Sequence, residues 1–297
     1  MKVLITGANG FIGQNMAKYF LALNHEVIGW DIVKLESKEL FTTEIVDLLR
    51  DDLDSKFKQF MPNVVIHCAG CANVSLSLQN PLGDFGGNTT VVYRILESMK
   101  NEGLDECKFI MLSSAAVYGQ PVALPINEED RLYPMSPYAL HKKMAEEICV
   151  YYSKFYGMDC RIARVFSAYG PGLKKQIFWD MYNKIINTGK LEMFGNGDES
   201  RDFIYIDDLV HALYLIAMAE KNEIIYNVAN GVEITIRNIA EEFVRHLGSS
   251  EIIFNGTIRE GDPKNWCSDI TKLSNLGYLQ KIDINEGIKK YIEWCKL

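Results

Sequence analysis

The chain has 297 residues, 48% of them hydrophobic and 24% charged, so it can bury a full core without disulfides or metals and is neither disordered, collagen-like nor coiled-coil in composition. Its 39 acidic against 31 basic residues leave a net charge of −8, which argues against a nucleic-acid partner or an anionic membrane surface. Apolar runs fall far short of the ~20 residues that span a bilayer, and the run behind Met1-Lys2 is stopped by Gly7, so no secretory signal is expected.

Residues 2–6 read as a strand, and 11–23 carry Phe11, Ile12, Met16, Phe20 and Leu23 at helical spacing. Strands are expected at 25–30, 44–46 and 63–68, a helix at 85–100, a strand at 108–112, a long helix at 137–156 and a strand at 159–165. This alternation predicts an α/β fold of the Rossmann type, a doubly wound parallel sheet with right-handed crossovers. Beyond about residue 166 the pattern changes to Gly- and Pro-rich loops (YGPGLKK, FGNGDESRD), with helices expected at 207–219, 236–247 and 284–295. We therefore expect a dinucleotide-binding part over 1–166 and a smaller substrate-binding lobe over 167–297. A return of the chain to the first sheet stays open, and the gradual change argues against two independently folding units.

The stretch Thr6-Gly7-Ala8-Asn9-Gly10-Phe11-Ile12-Gly13 joins the first strand to the first helix. Gly7 permits a tight turn, Gly10 lets the backbone approach a pyrophosphate, and Gly13 lets the helix pack closely on the strand. The free N–H groups of the helix start then face the phosphates. Gly7, Asn9, Gly10, Phe11, Ile12 and Gly13 are thus cofactor candidates. Asp31 ends the second strand, where a carboxylate bonds the adenine ribose of NAD and repels the 2′-phosphate of NADP; a solvated loop Asp is the alternative. Asp47 and Leu48 follow the third strand and are placed at the adenine, with a helix cap as the other reading of Asp47.

Tyr138 and Lys142 stand four residues apart and so share a helix face. A free phenol has a pKa of ~10, and a nearby ammonium is expected to lower it until the pair exchanges a proton with a sugar hydroxyl. Pro137 sets Tyr138 in the first helical turn. Ser113-Ser114 ends the strand KFIML and puts hydroxyls at the carboxyl edge of the sheet, where such folds bind ligands. Seven cysteines are scattered, and the one CxxC pair, Cys68 and Cys71, lacks the second pair that a zinc site needs. No metal is expected, and thiols of this kind suit a reducing cytoplasm.

The stretches TGANGFIG, HCAG (67–70), SSAAVYG (113–119), SPYALHK (136–142), RVFSAYGPG (164–172), RDFIYIDDL (201–209) and REGD (259–262) stand in order along the chain. With them the sequence resembles the extended short-chain dehydrogenase/reductases of the nucleotide-sugar epimerase/dehydratase group, and within it the UDP-glucose/UDP-galactose 4-epimerase pattern. The resemblance implies tightly held NAD, with Ser114 and Tyr138 handling the proton of a sugar 4-hydroxyl while Lys142 tunes Tyr138 and holds the nicotinamide ribose. The implied reaction moves hydride from C4 to NAD, turns the 4-keto sugar over and returns the hydride to its other face. Cys68, Ala69, Gly70 and Ser113 would line the cofactor, and Asn88 matches an Asn in the helix flanking the site, unless it caps that helix.

The resemblance further implies that Arg201 and Arg259 bind the diphosphate, a fork geometry suited to phosphate; for Arg201 a surface pair with Asp202 is the alternative. Asp262 would reach a ribose hydroxyl, Met193 and Phe194 the base, and Phe166 and Ser167 the sugar side. Ser167 replaces the usual Asn, and Ala72 a common Lys. Trp266, four residues after Asp262, falls near the sugar's 2-position, where an indole would exclude an N-acetyl group unless it only packs against the lobe. Ser114 is followed by Ala115-Ala116, whereas dehydratases of the group carry Asp-Glu there and decarboxylating relatives a Glu at the second place.

Epimerisation of a UDP-hexose at C4 is the expected activity. A NAD(P)H-dependent 4-keto-sugar reductase would use the same residues, but Asp31 disfavours NADPH; a silent NAD-binding sensor would not need Tyr138 and Lys142 intact. A homodimer is expected through the helices at 85–100 and 137–156, where Leu96, Met99, Met144 and Ile148 are apolar.

Overall fold

In the computed structural model, which describes residues 1–34, 41–220, 223–248, 251–257 and 263–297, the chain begins with β1 (Lys2–Thr6), α1 (Phe11–Ala22), β2 (Glu26–Asp31) and β3 (Thr42–Ile45). Then come α2 (Leu53–Phe60), β4 (Val64–His67), α3 (Val74–Gln79) and α4 (Pro81–Phe85). A π turn over Gly86–Thr90 carries α4 without a break into α5 (Val91–Asn101). β5 (Lys108–Ser114), a 3₁₀ turn (Ala115–Tyr118), α6 (Pro137–Tyr156) and β6 (Cys160–Val165) complete the first part. The helix expected at 85–100 in fact starts at Pro81, because Asn80 caps it through the Gly83 N–H (3.0 Å) and Pro81 suits the first helical position. Helix α6 has the expected bounds: Ser136 accepts from the Ala139 N–H at its start, and Gly157 ends it at φ 71°.

The lobe is built from β7 (Ser167–Tyr169), α7 (Gln176–Thr188), β8 (Lys190–Met193), β9 (Ser200–Tyr205) and α8 (Ile206–Met218). After them come β10 (Ile225–Val228), β11 (Glu233–Thr235), α9 (Ile236–Leu247), β12 (Glu251–Phe254), α10 (Thr271–Ser274) and α11 (Ile284–Cys295). β11, β9 and β7 form one small sheet and β12 pairs with β8, whereas β10 leaves the lobe and pairs in parallel with β6.

The main sheet has seven strands in the order β10-β6-β5-β4-β1-β2-β3, with every pairing parallel. β4 and β6 are buried along their whole length, as befits strands covered on both faces. Met16, Ala17, Phe20 and the apolar residues of α8 fill one face; Val91, Val92, Ile95, Leu96 and Met99 with Ala145, Cys149 and Tyr152 fill the other. The order reverses between β1 and β4, so the loops behind β1, β4 and β5 open into one crevice at the strands' carboxyl ends, the ligand position of such sheets. Among the described residues no helix is long and apolar enough to cross a membrane.

Candidate active site

The glycine turn is shaped for close approach. Gly7 has φ 65°, and a side chain there would meet the Ala69 backbone N at 2.6 Å; one on Gly13 would meet the Gly7 carbonyl at 2.3 Å. Asp31 holds this turn, accepting from the Asn9 N–H (2.9 Å) and the Val33 N–H (3.1 Å). The Asn9 amide donates to the Val33 carbonyl (2.5 Å) while its Oδ1, although buried, has no hydrogen-bond partner among the described residues. Free N–H groups at a helix start, a half-buried carboxylate and an orphaned acceptor fit the phosphates and ribose hydroxyls of NAD. Gly10, Phe11 and Ile12 lie at that helix start. Asp47 makes a turn, its Oδ1 accepting from the Leu49 N–H, and Leu48 packs into the core, its carbonyl held by Arg94.

The loop behind β4 brings Cys68, Ala69 and Gly70 beside that turn. Cys68 and Cys71 are thiols rather than a disulfide, and burial pushes Cys68 up to about 12, which keeps it protonated and inert.

Ser114, Tyr138 and Lys142 come together at the end of β5 and the first turns of α6. Ser114 is hydrogen-bonded to the Tyr138 phenol and accepts from the Ala116 N–H (3.2 Å). Ser113, expected at the same edge, turns its hydroxyl to the opposite face and donates to Glu146 Oε1 at 2.5 Å, because neighbouring side chains of a strand point to opposite sides. The Tyr138 backbone N–H donates to Ser77 Oγ (3.1 Å), anchoring α6 to α3.

The expected lowering of the phenol does not occur. Burial raises Tyr138 to about 12, opposed by the Ser114 hydrogen bond, with Asp84 and Cys71 adding to the rise. The Lys142 ammonium turns to the Leu112 carbonyl (2.9 Å), and burial lowers it to about 8 against the pull of Asp84, Cys68, Glu146 and Cys149. At pH 7 this Tyr138 holds its proton and Lys142 most of its charge.

A buried pair supports the edge from below. Arg164 on β6 grips Glu146 on α6 through Nη2 (2.7 Å) and Nε, and donates from Nη1 to the Tyr118 hydroxyl (2.9 Å) and the Glu128 carbonyl (2.8 Å). Tyr118 in turn donates to Asn227 Oδ1 (2.6 Å) on β10. The network ties β5, β6, α6 and β10 together directly behind Ser114; sequence reading missed it because its members lie far apart along the chain.

In the lobe, Phe166 is buried against Tyr118 and Trp266, and Ser167 is partly exposed at the start of β7. Arg201 donates to the Ser200 and Lys264 carbonyls, and its guanidinium lies 5.3 Å from the centre of the Trp266 ring. Asp202 makes no pair with it: the carboxylate is fully buried and accepts from the N–H groups of Asn230, Gly231 and Ser268, and burial raises it to about 6. Trp266 is half-buried, and its Nε1 donates to the Gly119 carbonyl (3.1 Å). Met193 is turned into the core, so of the expected base contacts only Phe194 presents its side chain at the surface. Arg259 and Asp262 lie outside the described residues.

The sequence model of the NAD dependent epimerase/dehydratase family matches residues 3–229. A UDP-glucuronate 4-epimerase of Thermodesulfobacterium geofontis is 31% identical, over 99% of this chain and 95% of its own. Among solved structures, the UDP-glucuronic acid 4-epimerase of Bacillus cereus, in complex with UDP-glucuronic acid and NAD, superposes with a TM-score of 0.90 at 28% identity, covering 100% of this chain and 99% of its own. The UDP-glucose 4-epimerase of Thermotoga maritima, with UDP-glucose, reaches 0.91 at 25% identity and the same coverage.

Proposed function

This chain belongs to the NAD dependent epimerase/dehydratase family, and from that premise we propose that it inverts C4 of a UDP-hexose of the glucose/galactose type. The observation that carries this reading is the Ser114–Tyr138–Lys142 cluster, set at the sheet's carboxyl edge beside the glycine turn, with no carboxylate at Ala115 or Ala116. Dehydration would need an acid for the leaving hydroxyl and a base at the neighbouring carbon. The two carboxylates whose charge is felt by Lys142 are both engaged: Asp84 with His141 and Asn88, Glu146 with Arg164 and Ser113. Epimerisation asks only for hydride and proton transfer.

NAD, when bound, supplies the acceptor and then the donor of the hydride at the sugar carbon. In our reading Gly7, Asn9, Gly10, Phe11, Ile12 and Gly13 hold its pyrophosphate and Asp31 its adenine ribose, with Asp47 and Leu48 toward the adenine and Cys68, Ala69, Gly70 and Asn88 along its other half, while Ser113, turned to Glu146, takes no part. Ser114 and Tyr138 bracket the sugar 4-hydroxyl, and Ser114 orients the oxygen. Tyr138 takes the hydroxyl proton on the outward step as the phenolate, so it must first give up the proton it holds in the cofactor-free protein, and it gives that proton back to the oxygen on the return step. Lys142, one helical turn on, carries the charge that steadies the phenolate. Arg201 and Arg259 bind the diphosphate, Asp262 the ribose, Phe194 the base, and Phe166 and Ser167 the sugar side, while Met193 stays in the core. Retained cofactor distinguishes this reading from a reductase, which would release it at each turnover. Mass spectrometry of the nucleotide that leaves the purified protein on denaturation should give NAD; NADP or none would count against it.

Trp266 sets the size limit at the sugar's 2-position in this reading. Its Nε1 bond to Gly119 and its contact with Phe166 hold the indole in one orientation. The expected kcat/KM for UDP-galactose exceeds that for UDP-N-acetylgalactosamine by at least ~1–3 kcal/mol of discrimination, and Trp266→Ser relaxes the preference. Equal kcat/KM on both sugars in the wild type would remove Trp266 from the site.

We also propose a homodimer. Leu96 and Met99 are spent in the core, but Leu82 (80% exposed), Leu140 and Met144 leave an apolar face on the adjoining helices α4 and α6. Light scattering should give twice the chain mass, and Met144→Glu should give the monomer; a wild-type monomer at micromolar concentration would refute the proposal. A cytoplasmic location is the reading we attach to the free thiols.

A further inference from the structure

We propose that Asp84 and His141 are positioning residues that lock the Asn88 amide so that its oxygen receives a hydroxyl of the bound cofactor. The proposal rests on the NAD-binding part of the reading above and not on which sugar reaction follows.

Asn88 sits in the π turn that interrupts the helix over 81–101, and such turns re-aim one side chain out of the helical register. It is fully buried. One amide N–H donates to the Cys71 carbonyl (3.1 Å) in the loop behind β4, the other to Asp84 Oδ1 (3.0 Å) one turn earlier. Both donors are used, so the orientation is determined: turned over, the amide would set its oxygen against two acceptors. Its Oδ1 is buried and has no hydrogen-bond partner among the described residues. It faces Gly70, whose φ is 145°; a methyl group on Gly70 would lie 2.7 Å from Asn88 Oδ1 and 3.4 Å from Lys142 Nζ.

An acceptor on one side and an ammonium on the other select a group that both donates and accepts. A hydroxyl does so; a phosphate oxygen, which only accepts, does not. Gly70 is exposed, so this space opens from the crevice that holds the cofactor.

Asp84 holds the amide only because it is itself held. Its side chain is buried, and Oδ2 lies 2.6 Å from His141 Nδ1, which must carry the proton of that bond. His141 is fixed by Phe85, edge-on at 5.4 Å between ring centres, and its backbone carbonyl accepts from Thr89 Oγ1 (2.9 Å). Without His141, Asp84 Oδ2 would be a buried acceptor with no donor, and the carboxylate would turn toward water and release Asn88.

The test is calorimetric titration of the cofactor-stripped, full-length protein with NAD⁺. His141→Leu and Asn88→Ala should each weaken NAD⁺ at least tenfold. The double variant should be no weaker than the worse single within threefold, because His141 acts through Asn88. His141→Asn, which keeps a donor near the Nδ1 position, should stay within threefold of wild type. If His141→Leu does not fold, Asp84→Asn replaces it: its single side-chain oxygen cannot serve both His141 and Asn88, and the same tenfold loss is expected. Overturning results are a first variant within threefold of wild type, a double variant whose loss is the product of the singles, or a His141→Asn as weak as the leucine. Because the readout is cofactor affinity, failure of the epimerase reading leaves this test intact, and the reverse also holds.

Discussion

Tyr138→Phe should abolish turnover while the protein keeps its NAD. The substitution removes one hydroxyl and leaves the ring, which is buried, in place. A positioned acid/base group contributes about 10²–10⁴ in rate, and kcat should fall by that factor, on the order of 3–5 kcal/mol in the barrier. The cofactor contacts assigned to the glycine turn and Asp31 do not involve the phenol, so NAD content per chain should equal that of the wild type. Stopped turnover with retained NAD assigns the loss to proton transfer. A kcat within twofold of the wild type would take Tyr138 out of the chemistry.

The second large effect is expected on stability. Arg164 and Glu146 are both nearly inaccessible to solvent, and together they serve Ser113, Tyr118 and the Glu128 carbonyl. Breaking a buried pair from one side leaves a charge without a partner at a cost of about 3–5 kcal/mol. Arg164→Met should lower the unfolding free energy in urea by that amount. Adding Glu146→Leu should restore part of it, since the orphaned carboxylate is gone, although the Tyr118 hydroxyl and the Glu128 carbonyl remain short of a donor. A loss below about 1 kcal/mol for Arg164→Met, or a double variant that loses the sum of the singles, would show that the pair is not a coupled unit.

Local signals made much of the fold and the identity of the cofactor legible in the sequence. The glycine turn, Asp31 and the Pro137 start of α6 depend on residues within a few positions of one another, and so does the 137–156 helix with its Ser136 cap and terminal Gly157. The start of α4 at Pro81 is equally local, written in Asn80-Pro81, four residues ahead of the helix expected from residue 85. Helix α7 carries helical spacing and ends at Gly189, yet no side-chain cap marks its start and a Gly-rich loop precedes it. β10 is four residues long and its place in the main sheet depends on β6, some sixty positions back.

The chemistry was less legible than the motifs. Tyr138 and Lys142 share a helix face as their spacing requires, but their charges are governed by burial, which spacing does not report. Alternation along β5 turns the Ser113 hydroxyl away from the crevice. The Asp84–His141 bond joins residues 57 positions apart, and although His141 stands inside SPYALHK, Asp84 belongs to no motif.

Hydride removal and return at one carbon of the sugar, with cofactor that never leaves, is tested most directly with substrate carrying deuterium at C4. UDP-glucose, UDP-galactose and UDP-glucuronate so labelled would each be incubated in ordinary water with the purified protein and no added NAD, and the products examined by NMR. The expected result is a C4 epimer from at least one of them with the deuterium still on C4. A C4 epimer that carries hydrogen from water, or no epimer from any of the three, would contradict it.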